Sequence, residues 1–408
     1  MKKRLLANYP ALQNRNFRLF FFGQLVSFTG TWIQGAAQGW LVFQLTHSAF
    51  AVGFTGFMLL APTMCLAPFG GVVVDRFRTR AVLYCTTTLG MLQAFVFAAL
   101  VATGHVTPAL INALAFALGL INALDAPARH TCIPEIVEAD ILPSALAMQS
   151  TLVNLGLIMG SSAAGFLVAY VGMAATFFVN GISFLPVLIT LALMDGAVLR
   201  KKRNGGSFSA GARYAAGNER VRLLLGLIGF SMALGYPYRT MLPAIAREVL
   251  HVGPEKFGFL MAAPGVGSIL GALIVSRASK RLPIRRFVIA SILALGATLV
   301  AFSFTRSFAL AAAIVPFAGA ALTVNNSTLR SALRSLVQGE MPEMLGRVTG
   351  FDVMMFFGGS AVGNFLVGWA AEGIGVMPAI GACGLVLIIL GKSISSRKGA
   401  LTPIIERA

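Results

Sequence analysis

The stretch Gly70-Gly71-Val-Val-Val-Asp75-Arg76-Phe77-Arg78-Thr79-Arg80 sets one carboxylate and three guanidiniums directly after two glycines. Such a cluster is suited to reversible ion pairing: Arg76 and Arg80 are both within reach of Asp75, and the glycines let a second helix pack closely. Asp125 is a second acid within reach of the same arginines. A different chemistry is written in Gln24, Ser27, Thr31, Gln34 and Gln38. Their 3, 4, 3, 4 spacing puts all five on one helix face, and Ser150, Asn154 and Ser161 repeat the idea. Amides and hydroxyls arrayed in this way hold a polar solute, or hold neighbouring helices by hydrogen bonds; both readings stand. Arg239, in Tyr236-Pro-Tyr238-Arg-Thr-Met-Leu-Pro, is a cation inside an apolar block. It receives an anionic or catechol-like molecule together with the two tyrosines, or it snorkels to lipid headgroups. Asp352 is an acid in another apolar block, free to carry a proton if burial raises its affinity for one, or to pair with Arg347 or a neighbouring base. The four histidines (His47, His105, His130, His251) are read as residues of separate loops, and no pair has ligand spacing. The four cysteines are scattered without a CxxC. No metal set, cofactor motif or disulfide framework is expected, and no nucleophile–base pair marks an enzyme.

These residues sit in a chain that is 57% hydrophobic and 11% charged over 408 residues, against about 25% charged in soluble domains. The apolar residues come in about twelve blocks, each near the roughly 20 residues that span a bilayer core: 17–45, 50–74, 81–103, 108–126, 147–170, 173–194, 221–245, 257–276, 284–305, 308–329, 347–371 and 375–392. The block after MKKR is too long for a signal-peptide core and is read as a retained first span. An all-α integral membrane protein of twelve transmembrane helices is therefore expected. The net charge of +18 does not mark a nucleic-acid binder, because no basic–aromatic reading surface accompanies it. With an even number of spans, all of the 32 basic residues except Arg239, Arg247, Lys256 and Arg306 fall on the face that holds both termini. By the positive-inside rule that face is cytoplasmic, and its charge meets anionic membrane lipids. The basic, Gly/Ser-rich stretch 195–220 reads as a linker between a six-helix half at 1–194 and a second at 221–408. SAAGFLV at 162–168 recurs as SAVGNFLV at 360–367, as two parallel pseudo-symmetric repeats require.

The pattern Gly71-x-x-x-Asp75-Arg76-x-x-x-Arg80 resembles motif A of the major facilitator superfamily, and the likeness in span number and central basic loop covers essentially the whole chain. The resemblance implies a cytoplasmic latch. Asp75 would approach the N-terminus of the eleventh helix, and Arg76 or Arg80 would pair with Asp125 at the end of the fourth. Arg78 and Thr79 depart from the usual glycine and base, and the counterpart at Gly271-ALIVSR-Ala278 lacks the acid. Residues 14–53, 125–150 and 346–356 are similar to the branch containing drug and siderophore exporters. The antiporter motif C appears only as Gly160-Ser-Ser-Ala-Ala-Gly165, without its proline.

The resemblance implies that the first helix of each three-helix unit lines the central path. Gln24, Thr31, Gln34 and Gln38, with Asn154, Tyr236, Tyr238 and Arg239, are the cavity candidates. The expected function is export of a small organic molecule, siderophore- or drug-like, across the inner membrane by a monomer, with protons as the coupling ion; import of a small polar or anionic metabolite by the same fold is the alternative.

Overall fold

A computed structural model describes residues 10–194, 208–278 and 284–396, the side chains of 67–76, 208–210, 278 and 284 excepted. Eleven helices among the described residues are long and apolar enough to cross a membrane. The helix before them, α1 (Arg15–Thr46), is 32 residues long. Its glutamines, hydroxyls and terminal arginines dilute its hydropathy, yet it packs within the same bundle. The others are α2 (Ala49–Arg76), α3 (Thr79–Ala102), α4 (Pro108–Ile136), α5 (Leu142–Phe166, continued by a π-turn at Leu167–Val171) and α6 (Met173–Ser183 and Leu185–Leu193). The second half holds α7 (Glu219–Gly235, Pro237–Thr240, Leu242–Ala244 and a π-turn at Ile245–Val249), α8 (Pro254–Ala278), α9 (Ile284–Ser303), α10 (Phe308–Glu340), α11 (Leu345–Ile374) and α12 (Val376–Ser396).

The pairing of helices repeats at an offset of six. α2 packs on α4 as α8 packs on α10, α3 on α6 as α9 on α12, and α1 on α5 as α7 on α11. The halves meet through α2 against α11 and α5 against α8. This is the two-half facilitator architecture expected from the sequence. Phe22, Leu92, Phe178, Ile189, Leu270, Phe317 and Trp369 are exposed on the outside of the bundle, an apolar shell that only lipid can cover without cost.

Four elements differ from the sequence reading. α4 and α10 run well past residues 126 and 329, so Asp125 lies inside a helix rather than at its end. α7 is broken rather than continuous, because Pro237 and Pro243 each remove a backbone donor. Within the stretch read as a linker, residues 195–207 lie outside the described residues and Phe208–Gly217 is helical. That short helix is tied to the end of α10. Glu340 accepts from Asn218 Nδ2 at 2.7 Å, Arg220 at 3.3 Å and the Tyr214 hydroxyl at 3.4 Å. Burial and then the Glu340 carboxylate push the Tyr214 phenol up.

Close helix contact rests on glycine at a few positions. A Cβ on Gly267 would fall onto the Pro316 carbonyl, and one on Gly319 onto that of Pro264, both in the α8–α10 seam. Gly267→Ala is expected to force that seam apart and cost ~1–3 kcal/mol, read as a lower thermal midpoint in detergent. Gly226→Ala, where an added Cβ meets nothing within 4 Å, is the neutral control.

Candidate functional site

A cavity of about 140 Å³ lies between the halves. α1 contributes Trp32, Gly35, Gln38 and Gly39; α2 contributes Val52, Thr55, Gly56, Leu59 and Leu60; α5 contributes Leu157. The second half adds Tyr236, Arg239, Thr240, Leu242 and Pro243 from α7, Met261 and Pro264 from α8, and Asn364 from α11. The walls are mostly apolar, with a few converging polar groups, as small-molecule sites are built.

Arg239 is the charged residue in this wall. The break in α7 at Tyr236–Pro237 turns the chain so that its guanidinium points into the bundle. Nε donates to the Tyr238 hydroxyl at 3.3 Å and Nη2 to Ser268 Oγ at 3.1 Å. Ser268 in turn donates to the Pro264 carbonyl at 2.8 Å. No carboxylate forms an ion pair with Arg239 among the described residues. The side chain reaches α8 through Ser268 and stands in the cavity wall. Tyr238 is 1% exposed and stands behind the guanidinium rather than in the cavity wall, whereas Tyr236 lines it.

The polar stripe of α1 divides by depth. Gln38 reaches the cavity. Gln34 does not line it. It donates to Gln93 Oε1 at 3.0 Å and accepts from Asn180 Nδ2 at 2.7 Å, bolting α1 to α3 and α6. Thr31 satisfies its hydroxyl on the Ser27 carbonyl at 2.9 Å. Gln24 is fully buried, and neither its amide nitrogen nor its oxygen has a partner among the described residues. Asn154 bonds back to the Ser150 carbonyl at 3.0 Å on its own helix and is not in the wall. Gln34→Leu is expected to cost ~1–3 kcal/mol, because Asn180 Nδ2 and Gln93 Oε1 each lose the partner that Gln34 gives them. Substrate KM should stay unchanged; unfolding and transport measured on the same variant separate the two.

The acids are held by near neighbours. Asp125 pairs with Arg129, one turn along α4, and accepts from the Thr86 hydroxyl at 2.8 Å. Arg129 lies over the Phe28 ring at 4.9 Å. Arg80, with Arg76 one of two alternative partners expected for Asp125, donates to the Ala192 carbonyl at 3.2 Å and sits 5.8 Å from the Tyr84 ring centre. It starts α3 beside the C-terminus of α6, where free carbonyls attract a cation. Gly71, Asp75 and Arg76 end α2, and their side chains lie outside the described residues. Asp352 is paired with Arg330 of α10 at 2.9 Å, while Arg347 turns to the Met344 sulfur.

Trp32, Thr55, Thr240 and Asn364 line the cavity without having been singled out from the sequence. Asn364 carried a signal: it is a lone amide in the apolar run of α11, within the repeated SAVGNFLV. Its Oδ1 is buried without a partner among the described residues.

The family described as transmembrane secretion effector matches residues 6–399. The chain is 26% identical over 397 residues to the enterobactin exporter EntS of Escherichia coli O1:K1, covering 95% of this chain and 91% of that protein. It is 24% identical over 268 residues to the staphyloferrin A transporter of Staphylococcus aureus, covering 64% of this chain and 67% of that protein. Among solved structures it superposes on the nucleoside transporter NupG with a TM-score of 0.77 at 14% identity, covering 94% of this chain and all of that one. A bacterial homologue of the lysosomal transporter Spinster, in an inward-facing, unoccupied conformation, gives 0.74 at 12% identity, with 93% and 96% covered. The chain belongs to the transmembrane secretion effector family, within the major facilitator superfamily of membrane transporters.

Proposed function

We propose that this transporter exports a small organic anion, siderophore-like in class, across the inner membrane by alternating access, with proton antiport as the driving reaction. The observation that carries the substrate class is Arg239, a guanidinium in a largely apolar wall between the halves without a carboxylate partner among the described residues. A cation so placed is best compensated by an anionic solute, and Asn364 adds an amide to the same wall. The two siderophore transporters among the relatives support the class. Both termini and the basic loops face the cytoplasm in this reading, and residues 1–194 and 221–408 rock against each other about the cavity. Asp75, Arg76 and Gly71 bias the cytoplasmic gate. The cavity of about 140 Å³ is below the roughly 300 Å³ of a filled small-molecule site, so loading widens it as the halves separate.

The test is comparative. Cells lacking the gene are grown under iron limitation and their internal and external small molecules are profiled by mass spectrometry. The expected result is one compound that accumulates inside, disappears from the medium, and is restored by the wild-type gene. A compound that wild-type cells remove from the medium and the deletion strain leaves there reverses the direction to import.

A further inference from the structure

We propose that Glu372 is a gate-holding residue of the transport cycle: its carboxylate latches the two halves together on the face opposite the basic loops by capping the N-terminus of α2. Glu372 lies in the last turn of α11. Its Oε2 accepts from Ser48 Oγ at 3.0 Å and from the backbone N–H of Phe50 at 3.1 Å. Ser48 is the N-cap of α2, and its hydroxyl also accepts from Ala51 N at 3.1 Å. The first N–H groups of a helix have no partner within it, and the dipole there favours an anion. One half thus satisfies the free end of a helix in the other.

The latch closes over a packed seam. Phe365 of α11 is ringed by Phe50, Phe54 and Phe57 of α2, at centroid distances of 5.6, 6.3 and 5.7 Å. In the same seam a Cβ on Gly53 would stand 3.0 Å from the Gly368 Cα. Thr55, Gly56 and Asn364, further along the same two helices, line the cavity. Glu372 therefore stands between the cavity and this face. Neither Ser48 nor Phe50 is a wall residue, and its two bonds across the halves exist only while the face is shut. An interaction made in one conformation and not the other shifts the equilibrium between them. The inference rests on the proposed orientation only in calling this face external; it is independent of substrate and direction.

The experiment reads which face reaches the cavity. Gly35 lines it, and a Cβ added there meets nothing within 4 Å. Gly35→Cys is placed in a background with the four native cysteines replaced. An impermeant maleimide is then applied to spheroplasts and, separately, to inside-out vesicles. Adding Glu372→Gln is expected to raise external labelling roughly three- to ten-fold, the effect of weakening a charge-assisted hydrogen bond at an exposed site, and to lower labelling from the other face. Ser48→Ala should act in the same direction with a smaller change, and should add little to Glu372→Gln because both act on one carboxylate. Unchanged labelling, or an equal rise from both faces, overturns the proposal, since general loosening has no sidedness. If Glu372→Gln does not accumulate in the membrane, Ser48→Ala carries the same two-sided test. Failure of the export reading would show in the metabolite profile and leave this result untouched.

Discussion

Arg239→Ala is expected to reduce transport roughly thirty-fold or more, most of it as weakened substrate binding. Truncating one partner of a desolvated charge pair costs about 2–5 kcal/mol, and 1.4 kcal/mol is tenfold. The variant should remain folded, because Tyr238 stays packed at 1% exposure and Ser268 keeps its bond to the Pro264 carbonyl. Arg239→Lys should recover part of the loss: it restores charge but not the fork that bonds Tyr238 and Ser268 together. Flux of the compound identified by profiling, measured into inside-out vesicles over a range of concentrations, separates KM from maximal rate. A wild-type KM in Arg239→Ala would reduce the guanidinium to a tie between α7 and α8.

The second large effect belongs to the Arg330–Asp352 pair, and it is asymmetric. The Asp352 side chain is 4% exposed and that of Arg330 26%. Arg330→Ala leaves a carboxylate sealed inside α11 with its partner gone, at a cost of about 3–5 kcal/mol. Asp352→Asn leaves a guanidinium that still stacks over Phe356 at 4.7 Å and has a path to water, at about 1–3 kcal/mol. Thermal unfolding of both variants in one detergent measures the difference. Equal losses would mean that the pair, not the stranded acid, sets the cost. Asp352→Asn also bears on coupling: if the pH dependence of transport survives unaltered in it, Asp352 is not the proton carrier.

What the sequence discloses here is depth and face; what it withholds is choice of neighbour. Apolar blocks and the sidedness of the bases give the helix count, and the 3–4 spacing from Gln24 to Gln38 gives a buried face on α1. The same spacing does not say that Gln34 meets Gln93 and Asn180 while Gln38 meets the cavity, because four residues along a helix is a rise of only about 6 Å and the partners come from helices distant in sequence. Asp352 was legible as needing a base, but α10 had to be longer than its apolar block for Arg330 to be that base. Arg80 went to the carbonyl end of α6, an attraction written in backbone geometry rather than in any side chain. The prolines at 237 and 243 were visible. That they divide α7, and thereby aim Arg239 inward, depends on the cavity beside them.

The polar face of α1 also bears on how the protein is made. Gln34 and its partner Asn180 are 146 residues apart. At ~5–20 residues per second of synthesis, roughly 7–30 s pass between the emergence of one and the other. Throughout that interval α1, which falls short of the hydropathy of the eleven other long helices among the described residues, lacks the Asn180 amide that completes its pairing after Gln93. It follows that its stable insertion comes late, secured by α3 and α6 as they arrive, and that the first half is assembled as a unit rather than threaded helix by helix.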